Sequence, residues 1–190
     1  MTRSAPPTLW IFGYGSLMWN PGFEHGEKRP ATLGGYHRAY MMYSTRNRGN
    51  PDHPGMVLSL APGGECQGMA IAVRPGCEEA ALAYLDKREG VGRAHRRVIV
   101  PVRMDSGAAA AVLPVTTFLP ILTYSNYIPR VPLERQAELV AHGRGSIGSS
   151  FEYLHLLMEE LQRMQVSEPT LERLYAEACR CRNGNGTPTA

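Results

Sequence analysis

The segment Phe12-Gly13-Tyr14-Gly15-Ser16-Leu17 follows directly on the short apolar run Thr8–Phe12. An apolar run that is closed by glycines is typical of a buried strand that ends in a tight turn. Backbone N–H groups in such a turn can point into a cavity and bind a carboxylate or a developing oxyanion. The segment therefore predicts the first strand of a sheet and, directly after it, an anion-binding turn made of main chain. An ordinary strand-end turn without a ligand is the alternative.

A helix is predicted over Glu78–Glu89, because apolar residues recur there at helical spacing, with acidic residues in the first turn, basic residues in the last turn and Gly90 just past the end. Its last residue, Glu89, faces the negative end of the helix dipole. That field and partial burial both disfavour a charged carboxylate and raise its pKa. We expect Glu89 to act as a proton acceptor; a solvated surface glutamate in a local ion pair is the alternative.

Strand patterns precede and follow this helix without βαβ alternation. That order predicts an α+β fold with a small mixed, largely antiparallel, barrel-like sheet and packed helices. Three further helices are expected: one from Pro132 to about His142, one capped by Ser149 and Glu152, and one beginning near Pro169. The predicted strands are Tyr36–Ser44, a hairpin of Met56–Leu60 and Cys66–Val73 joined by Ala61-Pro62-Gly63-Gly64, and a hairpin of Val98–Met104 and Ala109–Phe118 around Asp105-Ser106-Gly107.

Size and composition favour one globular domain. The chain has 190 residues, of which 43% are hydrophobic and 19% charged, enough to bury a core. We expect a single domain over residues 1–181 and a flexible tail over residues 182–190, which carry nothing to bury. The formal net charge of +3 and the interleaved charges indicate no nucleic-acid binding, and no stretch is apolar enough for a secretion signal or a membrane span. Four irregularly spaced cysteines predict reduced thiols and a cytoplasmic location.

Several common site motifs are excluded by single positions. Met18 stands where a dinucleotide-binding fingerprint needs its third glycine, and no Walker lysine follows the turn. Ser16 is not in a nucleophile elbow, because Tyr14 and Met18 occupy the positions of the flanking glycines. The six histidines lack paired spacing, and Cys179 and Cys181 have no companion pair, so no metal site is predicted.

Six short blocks of sequence follow one another in a characteristic order along most of the chain. They are Phe12-Gly13-Tyr14-Gly15-Ser16-Leu17-Met18-Trp19, Pro21-Gly22-Phe23, Gly35-Tyr36-His37-Arg38, Pro54-Gly55, Cys66-Gln67-Gly68 and Tyr84-Leu85-Asp86-Lys87-Arg88-Glu89. In order and spacing, these blocks resemble the ChaC-type, glutathione-specific γ-glutamylcyclotransferases. The resemblance continues through Tyr127 and Glu152-Tyr153-Leu154, so it covers Leu9 to about Met164 and leaves the last helix and the tail unexplained.

The resemblance implies a lyase that cleaves glutathione to 5-oxoproline and cysteinylglycine without a cofactor, in the barrel-like fold of the wider cyclotransferase group. The implied partner is a small-molecule substrate, glutathione or a γ-glutamyl peptide, with no nucleic acid and no membrane. The family's catalytic glutamate falls on Glu89, and a tyrosine expected near the substrate falls on Tyr127. The family's substrate-binding loop falls on Gly13, Tyr14, Gly15, Ser16, Leu17 and Met18.

Two other functions stay open beside this one. The first is a cyclotransferase that acts on other γ-glutamyl amino acids or amines, and the second is a non-catalytic module that binds γ-glutamyl compounds. The chain also departs from the family pattern, because Arg46-Asn47 stands where many relatives have Asp-His, and His95 stands where a tyrosine is often found. We expect Arg46 to favour a more anionic substrate. The glycine carboxylate of glutathione is expected to bind to Arg46, to Arg48 or to the glycine-rich segment of residues 142–148.

Overall fold

The computed structural model describes residues 8–104 and 111–184. Two compact units are formed, one by Met1–His37 with Pro62–Ile121, the other by Arg38–Ala61 with Leu122–Ala190. The single domain over residues 1–181 stays a prediction. Residues 185–190 of the predicted tail lie outside the described residues, whereas residue 182 still belongs to the last helix.

Five strands make up the main sheet: β1 (Trp10–Gly13), β2 (His25–Ser44), β3 (Gly55–Val73), β4 (His95–Met104) and β5 (Ala111–Pro120). They close into a barrel in the order β1-β3-β2-β4-β5. The pairs β1–β3, β2–β4 and β4–β5 are antiparallel, and β1 pairs in parallel with β5 through Ile11 and Thr116. The predicted α+β fold with a largely antiparallel, barrel-like sheet is confirmed.

The predicted hairpin of Met56–Leu60 and Cys66–Val73 is wrong, because β3 runs through both segments without a turn. Gly63 and Gly64 do adopt positive φ angles, of 94° and 72°, but they form an irregularity inside a strand instead of a chain reversal. The neighbours of β3 in the barrel are β1 and β2, so its two halves pair with other strands and not with each other.

β2 is also longer than predicted, since it begins at His25 and not at Tyr36. The first half of β2 contains Pro30 and the pair Gly34-Gly35, which strands usually lack, yet it includes the residues Ala31 and Thr32 that pair with β4. The hairpin of β4 and β5 is confirmed by an antiparallel register that joins Met104 to Ala111. Its predicted turn falls on residues 105–110, outside the described residues.

The helix α1 (Glu78–Glu89) has the predicted bounds. Gly90 ends it in the left-handed conformation, with φ 62° and ψ 47°, and its N–H donates to the carbonyl of Asp86. Leu85 of α1 is fully buried in one apolar cluster with Ile11 of β1 and with Leu17 of the turn that follows β1. Packing of apolar side chains thus holds this turn against the helix.

The second unit contains three helices, α2 (Leu133–His142), α3 (Ser150–Arg163) and α4 (Pro169–Arg182), and a hairpin of two short strands, β6 (Arg144–Gly145) and β7 (Gly148–Ser149). All three helices agree with the sequence prediction. Ser149 caps α3, because its hydroxyl accepts a hydrogen bond from the N–H of Glu152 at 3.0 Å. No helix among the described residues is long and apolar enough to span a membrane.

Gly68 tests how closely β3 must approach β1. A Cβ at Gly68 would lie 2.4 Å from the carbonyl oxygen of Gly13, an atom that cannot move without shifting β1. We expect Gly68→Ala to lower the free energy of unfolding by about 1–3 kcal/mol, measured by urea denaturation. Gly26→Ala is the control, because a Cβ there meets no atom within 4 Å. Equal stability of the two variants would contradict the close approach.

Candidate active site

Carbonyl groups of the turn after β1 accept hydrogen bonds from within the same turn. The carbonyl of Gly15 accepts from the N–H of Met18 at 2.9 Å, and that of Ser16 accepts from the N–H of Asn20 at 2.8 Å. By contrast, no described residue accepts a hydrogen bond from the N–H of Gly15, Ser16 or Leu17. Buried or half-buried amides of this kind usually find a partner, so three successive donors are available for a ligand.

The side chains of the turn anchor it in the barrel. Tyr14 is buried, and its hydroxyl donates to the carbonyl of Phe118 at 3.1 Å. Leu17 and Met18 are buried as well, and the carbonyl of Met18 accepts from Lys28 Nζ at 2.6 Å. Ser16 is the half-buried exception. The turn is therefore fixed from within, and its backbone amides do not depend on a ligand for their position.

Glu89 ends α1 with a side chain that is 19% exposed. Burial raises the pKa of this carboxyl above its ordinary value, and the nearby charges of His95 and Arg88 partly oppose the rise. The sequence also predicted a raised pKa for Glu89, and desolvation is the largest cause of the rise. A carboxyl with a raised pKa that is still partly exposed is better suited than a solvated one to accept a proton and return it.

Two neighbours hold Glu89 in place. His95 of β4 donates from Nδ1 to the backbone carbonyl of Glu89 at 2.7 Å, since a carbonyl can only accept. Its Nε2 is buried without a hydrogen-bond partner among the described residues. Arg88 places Nε 3.6 Å from Glu89 Oε1, and its Nη2 donates to Ser16 Oγ at 2.8 Å. One guanidinium thus contacts both the carboxylate and the turn.

Glu89 and the predicted loop of residues 13–18 both lie in the first unit, where Arg88 contacts Glu89 and Ser16 of the loop. Tyr127 belongs to the second unit, where it forms a bridge with Met42, and its role near a substrate stays a prediction. Arg48, also in the second unit, pairs with Glu152 at 3.1 Å. Its predicted contact with a substrate carboxylate therefore competes with an existing ion pair.

The contribution of Arg88 was missed by sequence reasoning. Its spacing from Tyr84 is visible in the sequence, and the two side chains do meet, with Arg88 Nη1 donating to the Tyr84 hydroxyl at 3.1 Å. Its contacts with the turn after β1 span 67 or more residues and carry no local signal. Among the described residues, no three His, Cys, Asp or Glu side chains lie close enough together to hold a metal ion.

Comparison with known proteins identifies the family of this chain. The family model described as "ChaC-like protein" matches residues 9–179. A glutathione-specific γ-glutamylcyclotransferase of Escherichia coli is 32% identical over 87% of this chain and 71% of its own length. An enzyme of the same name from Schizosaccharomyces pombe is 30% identical over 93% of this chain and 94% of its own length.

The fold also has a solved counterpart. The crystal structure of a γ-glutamyl cyclotransferase specific to glutathione from yeast superposes with a TM-score of 0.86, at 20% identity, over 94% of this chain and 99% of the other. This chain belongs to the ChaC-like family. The family match runs to residue 179 and so includes most of α4, which the sequence resemblance had left unexplained.

The buried carboxyl of Glu89 predicts a pH-dependent loss of stability. In the unfolded chain it ionises near its ordinary pKa of 4.5, but in the folded chain burial raises that pKa. Between the two values the folded state binds the extra proton, so stability falls as pH rises through this window. The loss is complete above the raised pKa, at about 1.4 kcal/mol for each pH unit by which the pKa is raised.

We therefore expect Glu89→Gln to be more stable than the wild type at neutral pH, with the advantage shrinking as the pH falls from the raised pKa towards 4.5 and absent well below that value. Urea denaturation at a series of pH values measures the difference. Glu79→Gln, at an exposed position of the same helix, serves as the control. A Glu89→Gln curve that runs parallel to the wild-type curve at every pH would show that Glu89 is not desolvated.

Proposed function

We propose that this protein is a γ-glutamylcyclotransferase that cleaves glutathione to 5-oxoproline and cysteinylglycine. The observation that carries the proposal is the pairing of a desolvated carboxyl, Glu89, with a turn that offers three backbone amides, Gly15 to Leu17, in one compact unit. Relatives that carry the name of this activity support the choice of glutathione. We place the activity in the cytoplasm, because the four cysteines are free and thiols persist there.

The chemistry needs one internal substitution within the substrate. The α-amine of the γ-glutamyl group attacks its own γ-carbonyl carbon, forms a C–N bond and closes a five-membered lactam. The C–N bond to the cysteine nitrogen then breaks, and its electron pair stays on the departing nitrogen. No water is consumed and nothing is oxidised, so the reaction is an internal acyl substitution that releases the dipeptide. Both reacting groups belong to one molecule, which makes folding the substrate the first task of the site.

Glu89 handles the proton. As a carboxylate it takes a proton from the attacking amine, and as a carboxylic acid it gives a proton to the departing nitrogen. A single group does both more readily when its pKa lies above that of a solvated glutamate, and burial raises the pKa of Glu89. The amides of Gly15, Ser16 and Leu17 bind the substrate carboxylate or the oxyanion that develops on the γ-carbonyl oxygen.

Removal of the proton acceptor gives the direct test. We expect Glu89→Gln to lower kcat for 5-oxoproline release from glutathione by about 10²–10⁴-fold, because the amide cannot accept a proton. The measurement is 5-oxoproline formation by purified wild type and variant, with Glu79→Gln as a variant of equal charge change. Near-normal turnover by a folded Glu89→Gln would remove Glu89 from the role.

The leaving group is tested in the same assay. Release of 5-oxoproline from γ-glutamylalanine but not from glutathione would favour the broader cyclotransferase over the glutathione-specific one. Binding of either compound without product would favour a γ-glutamyl-binding module and contradict an enzyme.

Gly15 tests the amide-lined turn. This residue is buried in the turn, so we expect a branched side chain there to crowd the turn and weaken substrate binding. We expect Gly15→Val to raise KM for glutathione at least about tenfold, measured by initial rates of 5-oxoproline release. Gly26→Val, at a strand position with open space around it, should keep the wild-type KM. Unchanged KM in Gly15→Val would contradict the assignment of the turn.

A further inference from the structure

Arg88 belongs to helix α1, yet most of its side-chain hydrogen bonds go to the turn after β1. Nη1 donates to the carbonyls of Asn20 at 2.8 Å and Pro21 at 3.1 Å, and to the hydroxyl of Tyr84 at 3.1 Å. Nη2 donates to Ser16 Oγ at 2.8 Å, and Nε faces Glu89 at 3.6 Å. The side chain is 20% exposed. Its guanidinium is thus shared between the residue beside it and a segment about 70 positions earlier.

These contacts leave Arg88 with little capacity for an external anion. A guanidinium has five N–H donors in a fixed fork and no acceptor. Its Nη1 group is directed at two carbonyls and one hydroxyl, and its Nε group is directed at Glu89. Arg88 is therefore poorly placed to bind a substrate carboxylate itself. Its contacts instead determine where other groups point.

The most specific of these groups is the hydroxyl of Ser16. Because a guanidinium can only donate, Ser16 Oγ is the acceptor of this bond, and its own hydrogen must point elsewhere. No described residue accepts a hydrogen bond from that hydroxyl. A hydroxyl that accepts a charge-assisted bond becomes a stronger donor, because the cation polarises it. Ser16 therefore has one polarised O–H available, in the same turn as three available backbone amides.

We propose that Arg88 is a positioning residue that holds residues 16–21 on α1 and orients the Ser16 hydroxyl as a side-chain hydrogen-bond donor to the substrate. The inference rests on the proposed function, and it adds a side-chain donor to a turn otherwise made of main chain. The recipient is an anionic oxygen of the γ-glutamyl group, either its α-carboxylate or the oxyanion that develops during ring closure. Arg88 acts through Ser16 and through the turn, without contacting the substrate.

The kinetic test is a double-mutant cycle of Ser16→Ala, Arg88→Met and the double variant, with Lys87→Met as the control. Lys87 is exposed on the same helix, so its variant removes the same charge next to Arg88 without touching the turn. We expect Ser16→Ala to lower kcat/KM for glutathione by about 10²-fold, as loss of one oxyanion donor does. Arg88→Met should lower kcat/KM of the wild type by at least the same factor as Ser16→Ala does. In the Ser16→Ala background, the factor by which Arg88→Met lowers kcat/KM should be at least threefold smaller.

The structural arm of the test does not depend on activity. The N–H groups of Met18 and Asn20 are hydrogen-bonded within the turn, at 2.9 Å and 2.8 Å. Their hydrogen exchange should accelerate at least tenfold in Arg88→Met and in Arg88→Lys, because a lysine keeps the charge but lacks the fork, while Lys87→Met stays like the wild type. Circular dichroism and Tm are measured first, and Arg88→Lys replaces Arg88→Met if the latter does not fold.

Each outcome decides. Losses in kcat/KM that multiply independently, or a Ser16→Ala variant with wild-type kcat/KM, would overturn the donor role of Ser16 while leaving the proposed function intact. The positioning role of the guanidinium fork would be overturned if the amides of Met18 and Asn20 exchanged at the wild-type rate in both Arg88 variants. It would also be overturned if they exchanged at the wild-type rate in Arg88→Lys and faster only in Arg88→Met. If the wild type releases no 5-oxoproline from any γ-glutamyl substrate, the proposed function and the donor role of Ser16 both fail. Hydrogen exchange then remains the test of whether Arg88 holds the turn on α1.

Discussion

The last turn of α1 is held against the turn that follows β1, and the geometry of the candidate site depends on this one contact. Leu85 and Leu17 share a buried apolar cluster, and the guanidinium of Arg88 hydrogen-bonds to the backbone and to a side chain of the turn. Apolar packing supplies most of the stabilisation in such a contact, while the planar fork supplies its orientation. Glu89 is the next residue along the helix, so fixing Arg88 also fixes the base of the Glu89 side chain.

The electrostatics of Glu89 reflect a balance between burial and nearby cations. Desolvation by itself raises the pKa of this carboxyl, and the charges of His95 and Arg88 limit the rise. A carboxyl whose pKa is raised too far would remain protonated and could not accept a proton. A carboxyl in bulk water has a low pKa and would be a poor donor of the proton to the leaving group. The hydrogen bond from His95 to the Glu89 carbonyl places one of the two cations on a rigid strand.

Local signals explain which elements could be predicted. The bounds of α1 follow from helical spacing, acidic and basic termini and Gly90, all of which lie within 13 consecutive residues. The hairpin of β3 was predicted wrongly for the same reason, because Gly63 and Gly64 carry the composition of a turn. Whether a glycine pair reverses a chain or only interrupts a strand depends on which strands lie alongside it. In this barrel the neighbours of β3 are β1 and β2, which no pattern within the segment reveals.

The sequence by itself determined the α+β class, the helix that ends at Glu89, the glycine-bounded turn after β1 and the family blocks that connect them, because each of these is written in a short run of residues. Only the tertiary structure decided that Arg88 contacts that turn, that His95 hydrogen-bonds to Glu89, and that the amides of Gly15 to Leu17 remain available. The contacts of Arg88 join residues 67 or more positions apart, and the bond from His95 spans six residues between the end of α1 and the start of β4. Burial, which raises the pKa of Glu89, is likewise a property of the packed fold and of no single residue.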